Sequence, residues 1–157
     1  MNAHADAVCR RAGPDDAATV LALMRDFYAE DRIAFEPERI RAGVAALLAG
    51  PAQGEILLWQ DRSGAVLGYG VLCAGFSLEQ GGAFGLIDEL FLKPQARGRG
   101  LGRAMLETLA RHAGDRGWAT VRLEVNRHNA AARRMYLAAG FRDEARDLLT
   151  RAAGAGA

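Results

Sequence analysis

The sequence predicts a mixed α/β (α+β) protein in which one central, mostly antiparallel sheet carries helices on both faces. Apolar residues recur at helical spacing over residues 17–28, whereas residues 55–93 contain three short apolar runs separated by turn-forming residues. A strand followed by a glycine-rich turn, a helix and another strand requires a crossover, and crossovers join parallel strands. The chain therefore combines an antiparallel meander with at least one parallel pair.

Turn and capping residues set the boundaries of the expected elements. Gly50-Pro51 ends the second helix, which begins at Pro37, and Gly140 follows the last helix in a position typical of a C-terminal cap. Asn129 is a plausible N-cap. In chain order we expect a strand at 7–11, helices at 17–28 and from 37, strands at 55–60, 65–76 and 83–93, a helix at 103–113, a strand at 118–125, a helix at 130–139 and a weakly defined strand within 141–150.

Composition favours one domain over residues 1–151, with an Ala/Gly tail at 152–157 that we expect to be disordered. With 20 basic and 19 acidic side chains the net charge is +1, which disfavours a nucleic-acid-binding module and a membrane-surface protein. Cys9 and Cys73 lack metal-ligand spacing, so no metal site is predicted. No apolar run approaches a membrane span and residues 1–6 lack the pattern of a signal peptide, so a cytoplasmic location is expected.

The stretch 97–102, Arg-Gly-Arg-Gly-Leu-Gly, joins the last meander strand to an amphipathic helix. Three glycines let the backbone approach a ligand closely, and free N–H groups at the start of a helix bind anions. A P-loop is excluded because Gly-Lys-Ser/Thr is absent, and a dinucleotide fingerprint is excluded because the glycines fall at 98, 100 and 102. The turn is therefore a phosphate-site candidate of a different kind.

Two motifs resemble those of the GNAT superfamily of N-acetyltransferases. The pattern Q/R-x-x-G-x-G/A occurs twice, at 95–100 and at 97–102. A second block matches L-x-V-x-x-x-N-x-x-A-x-x-x-Y-x-x-x-G-F through Leu123, Val125, Asn129, Ala132, Tyr136, Gly140 and Phe141. The resemblance covers about residues 87–141, and the N-terminal third, where such enzymes usually select their substrate, matches only in element order.

The resemblance implies acetyl-CoA as cofactor and a parallel strand pair that splays apart at the cofactor cleft. The pyrophosphate would bind N–H groups of the glycine turn, and the amides of the pantetheine arm would pair with the edge of the strand that precedes it. A backbone N–H at that edge, such as that of Leu90, would hold the oxyanion. The candidate cofactor-binding residues are Leu90, Phe91, Leu92, Arg97, Gly98, Arg99, Gly100, Leu101, Gly102, Arg103, Asn126, Asn129 and Tyr136.

The attacking amine must first lose a proton, because near pH 7 only about one alkylammonium in two thousand is a free amine. Asp88 and Glu89 precede the cofactor strand, and either is a candidate base; adjacent residues on a strand point to opposite faces, so only one faces the cleft unless a bulge intervenes. Glu89 is slightly favoured for its reach. The resemblance assigns Tyr136 as the acid that protonates the departing thiolate.

The expected reaction is direct transfer of the acetyl group to a primary amine within a ternary complex. Acidic residues in an expected loop, Glu30, Asp31 and Glu36, favour a small cationic amine over a protein lysine, and Tyr28, Glu30, Asp31 and Glu89 are the candidate substrate contacts. A module that binds acetyl-CoA without turnover remains the alternative. A homodimer is compatible with the resemblance.

Overall fold

The computed structural model describes residues 7–154, which form five strands, four α-helices and two short 3-10 turns. The strands are β1 (Val8–Arg11), β2 (Gly54–Gln60), β3 (Val66–Ser77), β4 (Gly82–Leu92) and β5 (Val121–Leu123). The helices are α1 (Ala17–Asp31), α2 (Pro37–Ala49), α3 (Leu101–Asp115) and α4 (Ala130–Ala138), and the 3-10 turns are Pro14–Asp16 and Pro94–Ala96.

The sheet follows chain order, β1-β2-β3-β4-β5. Strands β1 to β4 pair antiparallel through short connections, whereas β5 pairs with β4 in parallel after the α3 crossover. The expected mixed, mostly antiparallel sheet is thus confirmed, and its single parallel pair lies at the β5 edge of this part of the chain.

Two apolar clusters occupy the two faces of the sheet. On one face α1 and α2 pack against alternate strand residues such as Leu58, Tyr69 and Phe91, all at most 4% exposed. On the other face α3 and α4 cover Trp59 and Leu72 and their neighbours. Because successive strand residues point to opposite faces, the near-continuous apolar run of β2 contributes side chains to both clusters. The prediction of helices on both faces is confirmed.

Three local expectations differ from the structure. The acids Glu30 and Asp31 lie in the last turn of α1 rather than in a loop, since the helix continues to Asp31 and ends at Arg32 with a left-handed φ of 59°. Strand β5 has three residues instead of the eight expected at 118–125. The strand expected within 141–150 is absent: residues 141–154 have neither helix nor strand in the structure.

The charge of the segment after α4 explains that last difference. Asp143, Glu144, Arg146 and Asp147 form ion pairs with α4, with β5, with the β3–β4 turn and with the loop after β5, respectively, so their side chains diverge to separate parts of the surface. Ala145 between them has a φ of 52°, which interrupts any extended run. The disordered tail expected at 152–157 falls partly on residues 155–157, outside the described range; residues 152–154 contain no helix or strand.

Over residues 7–154 no helix is both long and apolar enough to cross a membrane. No group of three or more His, Cys, Asp or Glu residues in this range has the geometry of a metal site.

Candidate active site

The two parallel strands separate immediately after a short paired stretch. Pairing of β4 with β5 ends at Ile87 and Leu123, so residues 88–92 of β4 have no strand beside them on that edge among the described residues. The amide of Lys93 donates to the carbonyl of Leu67 in β3, and backbone polar groups alternate in direction along a strand. The amides of Leu90 and Leu92 therefore face the opened cleft.

Of the three residues expected at the cofactor edge, Leu92 and Phe91 are not fully available to a ligand. The carbonyl of Leu92 already accepts a hydrogen bond of 2.8 Å from Nε of Arg97. Phe91 turns its ring into the α1 side, where it is 4% exposed and lies 5.8 Å from the ring of Phe27. The free backbone groups of this edge are consequently those of Leu90 and the amide of Leu92.

A β-bulge in β4 decides which way the acidic pair points. Val71 of β3 is paired with Glu89, but its neighbour Leu72 is paired with Ile87, which leaves Asp88 as the extra residue. Ile87 and Leu90 both pack on the α3 face, which regular alternation between them would not allow. The bulge thus directs Glu89 towards the α1 face, where Phe91 also lies.

Two tyrosine hydroxyls hold the Glu89 carboxylate in place. The hydroxyl of Tyr28 donates to Oε1 at 2.5 Å, and the hydroxyl of Tyr69 donates to Oε2 at 2.6 Å. Burial raises the pKa of Glu89 above its ordinary value, the two tyrosine hydrogen bonds oppose that rise, and the charge of Asp88 adds to it. A carboxylate whose pKa is shifted towards neutrality is a better general base than an exposed one.

Asp88 has a different environment. It occupies the bulge and is exposed to solvent, and no described side chain donates a hydrogen bond to it. Neighbouring protein atoms desolvate it enough to raise its pKa. Both acids lie near the cleft, but only Glu89 has a side chain fixed by other residues.

The glycine turn has the backbone shape of an anion site. Gly98 and Gly100 have φ values of 76° and 75°, a region that residues with a Cβ avoid, and Gly100 is the N-cap of α3. Within residues 7–154 no backbone carbonyl accepts from the N–H groups of residues 98–103, so successive donors remain available. A shallow depression of about 260 Å³ beside it is lined by Gly100, Arg103, Ala104 and Glu107.

The third glycine of the turn has another role. A Cβ on Gly102 would lie 2.9 Å from the sulfur of Met135, so this glycine lets α4 approach the start of α3. The turn and α4 are therefore in direct contact.

The three arginines of the turn are not equivalent. The guanidinium of Arg97 donates from Nε to the carbonyl of Leu92 and from Nη2 to Oε2 of Glu30, at 2.8 Å. Arg103 forms a 3.9 Å ion pair with Glu107 on the outside of α3, and Arg99 is exposed. The structure thus pairs Glu30 with the turn instead of leaving it free for a substrate.

Tyr136 lies on α4 and its ring packs edge-on against Phe141, with centroids 6.0 Å apart. Its hydroxyl has no hydrogen-bond partner among the described residues. Burial, together with the negative charge of Asp31, raises the pKa of Tyr136 to about 12. The phenol is consequently fully protonated at neutral pH and has a proton to give.

Asp31 is surrounded by the loop between β5 and α4. Its two carboxylate oxygens receive hydrogen bonds from Asn126 at 2.6 Å and Asn129 at 3.3 Å, and His128 lies 3.2 Å away. Asn129 also accepts from the amide of Ala132, as the predicted N-cap of α4. The structure brings these residues together, a contact for which the sequence offers no signal.

Tyr69 is the site residue that sequence reasoning missed. It lies in the middle of an apolar strand, a position typical of a core residue, and it is indeed fully buried. Only the pairing of β3 with β4 reveals that its hydroxyl meets Glu89.

Comparisons with known proteins agree with this fold. The chain matches the family model described as acetyltransferase (GNAT) family over residues 19–141. It is similar to the thialysine N-epsilon-acetyltransferase of Bos taurus, with 27% identity over 149 residues that cover 85% of this chain and 83% of that one. It is also similar to a solved integron cassette protein from the mobile metagenome of Cole Harbour Salt Marsh, with 34% identity, a TM-score of 0.80 and coverage of 93% and 90% of the two chains.

A predicted acetyltransferase from Clostridium acetobutylicum, solved with acetyl-CoA, shares the fold at a TM-score of 0.78 and 16% identity, with coverage of 92% of this chain and 96% of that one. Free amides at a helix N-terminus suit the binding of an anion, and a fixed carboxylate suits proton transfer. The chain therefore belongs to the acetyltransferase (GNAT) family and is an acyltransferase that uses acetyl-CoA.

Proposed function

We propose that this protein is an N-acetyltransferase that moves the acetyl group of acetyl-CoA to a small primary amine, with Glu89 as general base and Tyr136 as general acid. The observation that carries the proposal is the Glu89 carboxylate, directed by a bulge towards the α1 side and held by two tyrosines beside a cofactor edge. Acetyl-CoA supplies the acetyl group as a thioester whose carbonyl carbon the amine attacks.

Glu89 takes the proton that the ammonium form of the acceptor must lose. Its raised pKa brings it closer to the pKa of the amine, which makes the transfer less unfavourable. The hydrogen bonds from Tyr28 and Tyr69 leave further lone pairs of the carboxylate free, so an amine or a bridging water has an acceptor there. Asp88, exposed and without a fixing partner, is the second candidate for the same role.

The cofactor side of the cleft is assigned to backbone groups. The amides of the glycine turn and of the α3 N-terminus suit the pyrophosphate, and Arg99 and Arg103 lie on the same turn. The free backbone groups of Leu90 and Leu92 suit the pantetheine amides, and the Leu90 amide suits the carbonyl oxygen as it becomes negative. Of the other candidate cofactor residues, Leu101 packs in the core under α3, Phe91 packs on the α1 face, and Asn126 and Asn129 donate to Asp31.

Tyr136 holds the proton that the leaving sulfur requires. Its pKa of about 12 keeps it protonated at neutral pH, and its hydroxyl has no competing partner in residues 7–154. Tyr136 lies on α4, next to Met135, which contacts Gly102 of the glycine turn. This contact supports a location of Tyr136 near the cofactor.

The acceptor is proposed as a small amine for two reasons. One similar protein is named for a small amine substrate, as a thialysine N-epsilon-acetyltransferase. The aromatic group of Phe27, Tyr28 and Phe35 on the acceptor side provides apolar surface for a carbon chain next to the acid. Since Glu30 and Asp31 are engaged by other residues, recognition of the amine itself falls to Glu89 and Tyr28.

Thiol release from acetyl-CoA, measured over a panel of amino acids, polyamines and aminoglycosides, tests the proposal. We expect turnover on at least one amine, and losses in kcat/KM of about 10²- to 10⁴-fold for Glu89→Gln and for Tyr136→Phe. Glu38→Gln, an exposed glutamate on α2, is the matched control and should behave like the wild type. Binding of acetyl-CoA without release on any amine, unaffected by Tyr136→Phe, would instead identify a non-catalytic module.

A further inference from the structure

The last residue of α1 is a buried carboxylate at the boundary between the two sides of the cleft. Asp31 is 8% exposed, and Arg32 directly after it adopts a left-handed conformation that ends the helix. Asp31 therefore has a fixed location at a helix end, and a carboxylate buried there needs donors.

Its hydrogen-bond and ion-pair partners within residues 7–154 come from one distant loop. Oδ2 accepts from Asn126 at 2.6 Å, while Oδ1 accepts from Asn129 at 3.3 Å and lies 3.2 Å from Nε2 of His128. These residues are about 95 positions further along the chain and lead from β5 into α4. The carboxylate thus connects the helix that covers the acceptor side to the loop that follows the cofactor side.

The helix reached by this connection has few other anchors. None of the nine residues of α4 is fully buried. Its other described contacts are the packing of Met135 and Tyr136 against the apolar cluster under α3, the Arg133–Asp143 ion pair, the ring contact of Tyr136 with Phe141 and the cap by Asn129. Because Asn129 both caps α4 and binds Asp31, the position of the first turn of α4 depends on the carboxylate.

We propose that Asp31 is a positioning residue: it latches the 126–129 loop to the end of α1 and so fixes α4, and with it the Tyr136 hydroxyl, at a set distance from Glu89. Asp31 thereby links the proposed acid to the proposed base. Tyr136 lies on α4, and Glu89 is bound by Tyr28, which lies one turn before Asp31 on α1. The negative charge also helps keep Tyr136 protonated. With both oxygens occupied by the loop, Asp31 is not a contact for the substrate amine.

Amide hydrogen exchange of the loop and of α4, measured on the protein without substrates, tests the latch itself. In Asp31→Asn we expect exchange across residues 126–136 to become faster by about tenfold or more, because the amide side chain cannot accept from all three groups at once. Asp26→Asn, the same change at an exposed position of α1, is the control and should leave this region unchanged.

A swap separates the specific contact from general destabilisation. The double variant Asp31→Asn/Asn126→Asp again pairs one amide with one carboxylate across the same 2.6 Å contact, and we expect it to slow exchange below that of Asp31→Asn. Exchange in Asp31→Asn that matches Asp26→Asn, or a double variant no slower than the single one, would overturn the proposal.

The catalytic part of the inference rests on the proposed function and has its own measurement. With an amine that turns over, Asp31→Asn should lower kcat by about tenfold while changing the KM of the amine little, since it moves the acid and not the acceptor pocket. An unchanged kcat would overturn the link to Tyr136. A wild-type protein inactive on every amine, with the exchange result as expected, would overturn the proposed function and leave the latch standing.

Discussion

Replacing Tyr69 with Phe isolates one of the two hydrogen bonds that hold Glu89. The ring stays, so packing in the fully buried site is preserved, but the 2.6 Å hydrogen bond to Oε2 is lost. This bond stabilises the ionised carboxylate and opposes the effect of burial, so its loss raises the pKa of Glu89 further. A hydrogen bond to a charged group contributes about 1.5–3 kcal/mol, which corresponds to about one to two pH units.

The assay is the pH dependence of kcat/KM, whose acidic limb reports the base in the free enzyme. We expect this limb in Tyr69→Phe to move towards higher pH, with a smaller movement in Tyr28→Phe because Tyr28 is only half-buried and water can replace its hydroxyl. An acidic limb that stays in place, or moves towards lower pH, would refute the assignment of Glu89 as the base. A shift produced by Asp88→Asn alone would assign that role to its neighbour.

Two further predictions concern the turn and the scaffold. Gly98→Ala, where φ is 76° and no atom crowds the new Cβ, should make the free turn relax away from this conformation, and coenzyme A binding, which must restore it, should weaken by about tenfold in calorimetry, whereas Gly114→Ala at an exposed position of α3 should have no effect. Glu55 is 2% exposed and binds Arg11, His112 and Arg116; burial raises its pKa, but His112 and Arg11 outweigh burial and lower it. A lowered folded-state pKa stabilises above the unfolded value, about 4.3, and the contribution is lost as the pH falls through the folded-state pKa. Glu55→Gln should therefore reduce the free energy of unfolding by about 3 kcal/mol in urea at pH 7 and by less at pH 4, and a loss that is equal at both pH values would contradict this.

The sequence by itself determined the order of the elements as far as α4 and the local conformation of the glycine turn. Helical and strand periodicities, together with local signals such as Asn129 and Gly140, depend only on neighbouring residues, and the structure follows them closely. The glycine spacing likewise excluded other phosphate motifs. It also indicated a tight turn, and the left-handed backbone at Gly98 and Gly100 depends on these residues alone.

Only the tertiary structure decided which acid is fixed at the site. The choice between Asp88 and Glu89 depends on the bulge, which arises from the register of β4 against β3. The roles of Glu30, Asp31 and Tyr69 depend on partners that lie 20 to 98 residues away, and no local pattern encodes such pairings. For Asp31 and Tyr69 the physical reason is burial, since a charge or hydroxyl in a buried place must find its partner wherever the fold provides one.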